Sequence, residues 1–154
     1  MSATFNMLIG PAGSGKSTYA KKLCLNIGPI YCTYLSSDQI RKELYGSEDA
    51  QCNPKKVFEI MLQRAVDALN NNMYVIYDAT NLKTRHRKET LRYLETTVIH
   101  SFFKEATVIK VDRATAKERN ANRSRVVPEY VIDRMYRQFE LPTTAEGWDY
   151  INIV

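Results

Sequence analysis

Apolar and polar residues alternate with two different periods along this chain of 154 residues, and the two periods predict its elements. Short apolar runs rich in β-prone residues predict five strands, at 5–10, 30–36, 73–78, 106–112 and 149–154. Between them, apolar residues recur at helical spacing, most clearly at Val57, Met61, Ala65 and Leu69, which should face the core. Strands that alternate with helices predict a parallel sheet covered on both faces, with the first strand in the centre.

Length and composition predict a single domain spanning 1–154, since 44% of the residues are hydrophobic and 25% are charged. The net charge of +5 weakly favours an anionic partner. Cys24, Cys32 and Cys52 form no C-x-x-C pair, which argues against a disulfide framework or a zinc site and favours reduced thiols. The chain has no run of 18 apolar residues and no room for a signal peptide, so we expect a cytoplasmic protein without a membrane partner.

A glycine-rich stretch, IGPAGSGKST, occupies positions 9–18 between the first strand and a helix. It matches G-x-x-x-x-G-K-[ST], whose backbone N–H groups bind phosphates while the following helix adds its positive dipole end. Lys16 should reach the β- and γ-phosphates of ATP or another nucleoside triphosphate, and the Ser17 hydroxyl should bind Mg²⁺. The alternative is a glycine turn with a solvated lysine. The predicted nucleotide-binding residues are Gly10, Pro11, Ala12, Gly13, Ser14, Gly15, Lys16, Ser17 and Thr18.

A carboxylate and a guanidinium follow the second strand in LSSDQIRKEL. Asp38 could take the proton of an attacking hydroxyl, and Arg41 could bind the transferred group or a substrate phosphate. The alternative is that Asp38, or equally Ser37, only caps the next helix.

The third strand ends at Asp78, with Thr80 and Asn81 just beyond it in the stretch DATN. Asp78 could contact Mg²⁺ through water, or it could position Arg41 or a substrate group. Thr80 and Asn81 are candidate substrate contacts, although a turn accounts equally well for Asn81.

Arg119 and Arg123 follow the fourth strand and share one helix face in a predicted lid at about 113–128. Two cations there could close over a polyphosphate, although a solvated basic face is the alternative. The apolar stripe of Val131, Met135 and Phe139 indicates packing, but Val127 and Val131 could also contact a base.

The stretches GPAGSGKST, SSDQIR, DATN and ERNANRSRVVPEYVIDRMYRQFELP closely resemble the kinase domain of the polynucleotide kinases, of which the T-even phage enzyme is the type. The resemblance implies an α/β fold of the P-loop NTPase type, a three-layer sandwich with a five-stranded parallel sheet and an arginine-bearing helical lid. It implies that Asp38 is the general base, Arg41 the acceptor-binding arginine and Asp78 the acidic residue of the D-x-T-N element. Arg119 and Arg123 match the lid arginines of the family.

The implied reaction moves the γ-phosphate of ATP, with Mg²⁺, to the 5′-hydroxyl of a DNA or RNA end. The sequence carries no phosphatase signature, so a separate phosphatase or ligase would be a partner. The same motifs are also similar to those of kinases for small alcohols, nucleotide sugars and aminoacyl-tRNA. A nucleotide-gated binding module without transfer is the remaining alternative.

Overall fold

The computed structural model describes residues 2–48 and 53–154, and in these ranges five parallel strands form one sheet. The strands are β1 (Thr4–Ile9), β2 (Cys32–Ser36), β3 (Tyr74–Asp78), β4 (Phe103–Val108) and β5 (Tyr150–Ile153). Their order is β2-β3-β1-β4-β5, so the first strand lies in the centre, as predicted. The predicted fold class, an α/β P-loop sandwich with five parallel strands, is therefore confirmed.

Helices connect the strands and cover both faces of the sheet. They are α1 (Lys16–Ile27), α2 (Ser37–Tyr45), α3 (Pro54–Asn70), α4 (Thr84–Thr97), α5 (Arg113–Ala121) and α6 (Glu129–Gln138), with one 3₁₀ turn at Thr144–Glu146. No helix in the described part of the chain is long and apolar enough to cross a membrane. Cys24 and Cys32 are free thiols, whereas Cys52 lies outside the described residues.

Two of the apolar clusters of the core lie on opposite faces of the sheet, because successive strand residues point to opposite faces. Phe5, Met7 and Ile9 of β1 face the larger cluster, where the predicted stripe of α3 packs with at most 1% exposure of each of its residues. Leu8 faces the other cluster, against Ala20 of α1. Because helices cover both faces of the sheet, the side formed by the carboxyl ends of the strands is left open.

The fourth strand begins and ends earlier than predicted. It spans Phe103–Val108, because its register pairs Phe103 with Thr4 and Val108 with Ile9. The apolar residues that follow belong to the connection to α5, where the Val111 carbonyl accepts a hydrogen bond of 2.6 Å from the Tyr136 hydroxyl. Tertiary packing of α6 therefore accounts for apolar residues that the sequence pattern had assigned to the strand.

Candidate active site

The glycine-rich loop leads from β1 into α1 and approaches its neighbours closely. Gly13 has a φ of 79°, and a Cβ there would lie 2.2 Å from the Ala116 carbonyl oxygen of α5. Gly15, with a φ of 98°, precedes the first residue of α1. Only glycine permits both the left-handed backbone and this close contact, so the loop rests directly on the helix that carries Arg119.

Lys16 is the first residue of α1 and is only 9% exposed. Its Nζ donates to the Pro11 carbonyl at 2.9 Å and to Ser14 Oγ at 3.5 Å. Burial lowers the pKa of Lys16 to about 8, and Arg123 acts in the same direction, whereas Asp78 and Asp38 oppose it. The ammonium is therefore held inside the loop, where an anion would favour its charged form.

Asp78 lies at the end of β3 and is 5% exposed. Its Oδ2 accepts hydrogen bonds from the Tyr34 hydroxyl at 2.5 Å and from Ser17 Oγ at 3.3 Å. Burial raises the pKa of Asp78, and Lys16, Tyr34 and Ser17 partly offset that effect. Ser17, the predicted Mg²⁺ ligand, and Asp78 are therefore in direct contact.

Asp38 does not cap α2. The helix is capped by Ser36, whose side chain accepts a hydrogen bond of 3.4 Å from the Gln39 N–H, so the capping alternative for Asp38 and Ser37 is wrong. Asp38 Oδ1 instead accepts from Arg41 Nη1 at 2.8 Å and from Arg125 Nη1 at 2.5 Å. Two guanidinium groups therefore orient this carboxylate.

The predicted lid consists of α5 followed by a non-helical arginine loop, defined here as residues 122–128. Arg119 lies in α5 but Arg123 lies in this loop, so the prediction that the two arginines share one helix face is wrong, because the helix ends at Ala121. Asn120 closes the loop at its base, because Nδ2 donates to the Val127 carbonyl at 2.7 Å and Oδ1 accepts from the Val127 N–H at 3.1 Å. Arg119 Nη1 donates to the Ser14 carbonyl at 3.3 Å, and Arg123 Nε donates to the Arg125 carbonyl. Burial lowers the pKa of Arg123.

Two cavities meet at the carboxyl ends of the strands. The loop pocket has a volume of about 270 Å³ and is lined by Gly13, Gly15, Lys16, Ser17, Thr18, Arg119 and Arg123. The central cavity, of about 410 Å³, lies on the side of α2, α3 and α6. Its charged residues are the cations Lys16, Arg41, Arg123, Arg125 and Arg134 and the carboxylates Asp38 and Asp78. Lys16, Ser17 and Arg123 line both cavities and so mark their junction.

The central cavity also includes several of the predicted substrate contacts. Thr80, Val127 and Val131 line it, and so does Met135 of the apolar stripe. Asn81 is not among its lining residues. Its Nδ2 donates to the Leu8 carbonyl at 2.8 Å and to the Ala79 carbonyl at 3.2 Å, which ties the ends of β1 and β3 together. Its φ of 49° fits the alternative of a turn residue.

Sequence reasoning missed several residues of this region, among them Tyr34, Phe58, Arg125 and Arg134. A signal existed for Tyr34, which precedes Ser36 by two positions in β2 and therefore shares its face of the strand. Arg125 stands two positions beyond Arg123 in the same basic stretch. No local pattern distinguishes Phe58 or Arg134 from an ordinary helix residue.

The donor set at the junction fits Mg²⁺. A hydroxyl and a carboxylate oxygen, from Ser17 and Asp78, lie 3.3 Å apart. Mg²⁺ prefers oxygen ligands and retains several waters, so it needs few protein groups when phosphates supply the rest. Within the described ranges, no group of three or more histidine, cysteine or acidic side chains is placed to hold a metal ion.

The AAA_33 family model, described as an AAA domain, matches residues 6–142. The chain belongs to this family. Its architecture is also similar to that of solved kinases of low sequence identity, which supports the fold. The chain therefore has the P-loop fold of the AAA_33 family.

Three solved structures illustrate the similarity. A proposed kinase from Chloroflexus aurantiacus has a TM-score of 0.78 at 13% identity, over 100% of this chain and 88% of the other. A fungal RNA kinase has a TM-score of 0.71 at 15% identity, over 100% of this chain and 75% of the other. A gluconokinase from Sinorhizobium meliloti has a TM-score of 0.59 at 16% identity, over 98% of this chain and 81% of the other.

Proposed function

We propose that this AAA_33 protein is a kinase that transfers the γ-phosphate of ATP to the 5′-hydroxyl of a DNA or RNA end, with Mg²⁺. The observation that carries the proposal is the junction of the two cavities. Lys16, Ser17 and Arg123 border both the loop pocket and the central cavity, and Asp38 lines the latter. A γ-phosphate at this junction would face a carboxylate across the central cavity.

Each residue at the junction has a chemical role in such a transfer. Asp38 accepts the proton of the attacking hydroxyl as its oxygen forms a bond to the γ-phosphorus. The bond from that phosphorus to the β–γ bridging oxygen breaks, and ADP leaves. Lys16 and Arg123 neutralise charge on the transferring group, and Ser17, with Asp78 beside it, would hold an Mg²⁺ ion that would supply further positive charge there.

The charges of the central cavity favour an acceptor that is itself anionic. Five cationic side chains and two carboxylates line it, so it retains positive charge for a substrate phosphate. Arg41 Nε is buried without a hydrogen-bond partner among the described residues, which suits a group that binds substrate. Val127, Val131 and Met135 supply an apolar wall against which a base could lie.

A kinase of a small acidic alcohol is the second candidate. The similarity to a gluconokinase favours it, because such a substrate also combines hydroxyl groups with negative charge. It predicts that polynucleotide ends do not compete with the true acceptor.

The test is transfer of labelled γ-phosphate to short DNA and RNA oligonucleotides with 5′-hydroxyl ends. We expect Asp38→Ala to lower the transfer rate by about 10²- to 10⁴-fold while ATP binding persists. Lys16→Ala should impair both steps. Asp67→Ala is the matched control, because Asp67 is an exposed residue of α3 that lines neither cavity.

The outcomes separate the candidates. If Asp38→Ala transfers phosphate at the wild-type rate, Asp38 is not the general base. If wild-type protein labels a small acidic alcohol but no oligonucleotide, the second candidate stands. ATP binding without transfer to any acceptor would indicate a nucleotide-gated binding module.

A further inference from the structure

The basic run KTRHRK at 83–88 is divided by the first turns of α4. Arg87 is fully buried and donates to Glu146 through Nε at 2.8 Å and Nη2 at 3.1 Å. Arg85 and Lys88 border a depression that also contains four glutamates. Lys83 and His86 instead line a different cavity on the other side of the helix. The run is therefore not one uniform basic surface.

The cavity lined by Lys83 and His86, called the lateral groove here, has a volume of about 700 Å³ and lies among α3, α4 and the end of α6. The side chains that matter to the argument are Lys55 and Phe58 of α3, Lys83 and His86 at the start of α4, and Thr80. Phe58, Ala79 and Thr80 also line the central cavity. The two cavities therefore adjoin along one shared wall.

We propose that the lateral groove binds the acceptor strand beyond its first nucleotide, with Lys55 and Lys83 contacting its phosphates. The proposal rests on the proposed function, which puts the 5′-hydroxyl near Asp38. A strand that begins there and is longer than one nucleotide must leave the central cavity, and the groove adjoins that cavity along Phe58 and Thr80.

The chemistry of the groove suits a single strand. Lys55 and Lys83 are exposed cations, and Phe58 and His86 offer ring faces on which bases can stack. The acidic residue in the groove, Glu89, is paired with Arg85 at 3.3 Å. Contacts of this kind release counterions, so binding should weaken as salt rises.

The experiment compares acceptors of increasing length, namely a mononucleotide 3′-phosphate, a trinucleotide and a longer oligonucleotide. The variant Lys55→Gln/Lys83→Gln removes the two groove cations. Lys88→Gln/Arg92→Gln is the matched control, because it removes two exposed cations of α4 that line the neighbouring depression but not the groove, and it leaves the Arg85–Glu89 pair in place. All four side chains are exposed, so both variants should fold.

We expect the wild-type KM to fall as the acceptor lengthens. The groove variant should raise the KM of the longer oligonucleotide about tenfold at low salt. It should also lower the slope of log KM against log salt concentration by about 1.4, since each of the two lost single-strand phosphate contacts contributes about 0.7 to that slope. The KM of the mononucleotide and the kcat values should not change. The control variant should match the wild type in its dependence on length.

Two results would overturn the inference while leaving the proposed function intact. One is a wild-type KM that does not depend on acceptor length, and the other is an equal effect of the two double variants. Absence of transfer to every nucleotide acceptor would instead remove the proposed function and this inference together.

Discussion

Replacing Arg87 by methionine should destabilise the protein far more than replacing any exposed arginine of the same helix. The side chains of Arg87 and Glu146 are 0% and 2% exposed, and Nε and Nη2 donate to the two carboxylate oxygens. Nη1 donates to the Asn81 and Leu82 carbonyls, each at 2.9 Å. Methionine fills a similar volume but leaves a buried carboxylate and two carbonyls without these donors.

Loss of one partner from a buried ion pair typically costs about 3–5 kcal/mol, because the other charge stays buried. That is a large part of the roughly 5–15 kcal/mol by which domains of this kind are stable. Arg85→Met is the control, since the Arg85–Glu89 pair lies at 82% and 64% side-chain exposure. An exposed pair of this spacing contributes about 0.5 kcal/mol or less.

Urea unfolding monitored by circular dichroism measures the free energies of unfolding of Arg87→Met and Arg85→Met.

The pH dependence of the free energy of unfolding provides a second check. Burial alone would raise the pKa of Glu146, but hydrogen bonds from Arg87, Thr143 and Trp148 outweigh it and hold this pKa below its ordinary value. The stabilisation is therefore fully present above the unfolded pKa of about 4.3 and is lost as pH falls through the lower folded pKa. The difference between wild type and Arg87→Met should narrow in that acidic range.

Equal free energies of unfolding for Arg87→Met and Arg85→Met would refute this reasoning. So would a difference that stays constant as Glu146 becomes protonated.

Three further predictions concern the candidate active site. Gly13→Ala should weaken ATP binding, as measured by calorimetry. Gly46→Ala is the control: Gly46 has the same φ of 79°, but a Cβ added there would meet open space, so this variant should affect stability only. Because the pKa of Lys16 is about 8, ATP affinity should fall as pH rises through that value and the ammonium loses its proton, and a Lys16→Ala protein should lack this inflection. Asn120→Ala should loosen the arginine loop and lower kcat, whereas Asn122→Ala, which loses only a bond of 3.1 Å to the Glu118 carbonyl, should leave kcat unchanged.

The sequence by itself determined the features whose atoms are close along the chain. The glycine-rich loop, its lysine and the start of α1 fall within positions 9–18, so a local pattern was enough to predict them. The buried stripe of α3 followed from helical periodicity. The alternation of strands and helices gave the parallel sheet and its central first strand.

Only the tertiary structure decided which distant side chains meet. Arg125 reaches Asp38 across 87 positions, and Tyr34 reaches Asp78 across 44. Arg87 belongs to a basic run that resembles solvated surface, yet it is buried because Glu146 packs over it from 59 positions away. The burial and pairing of a charge depend on what the fold brings against it, and spacing along one helix or strand does not contain that information.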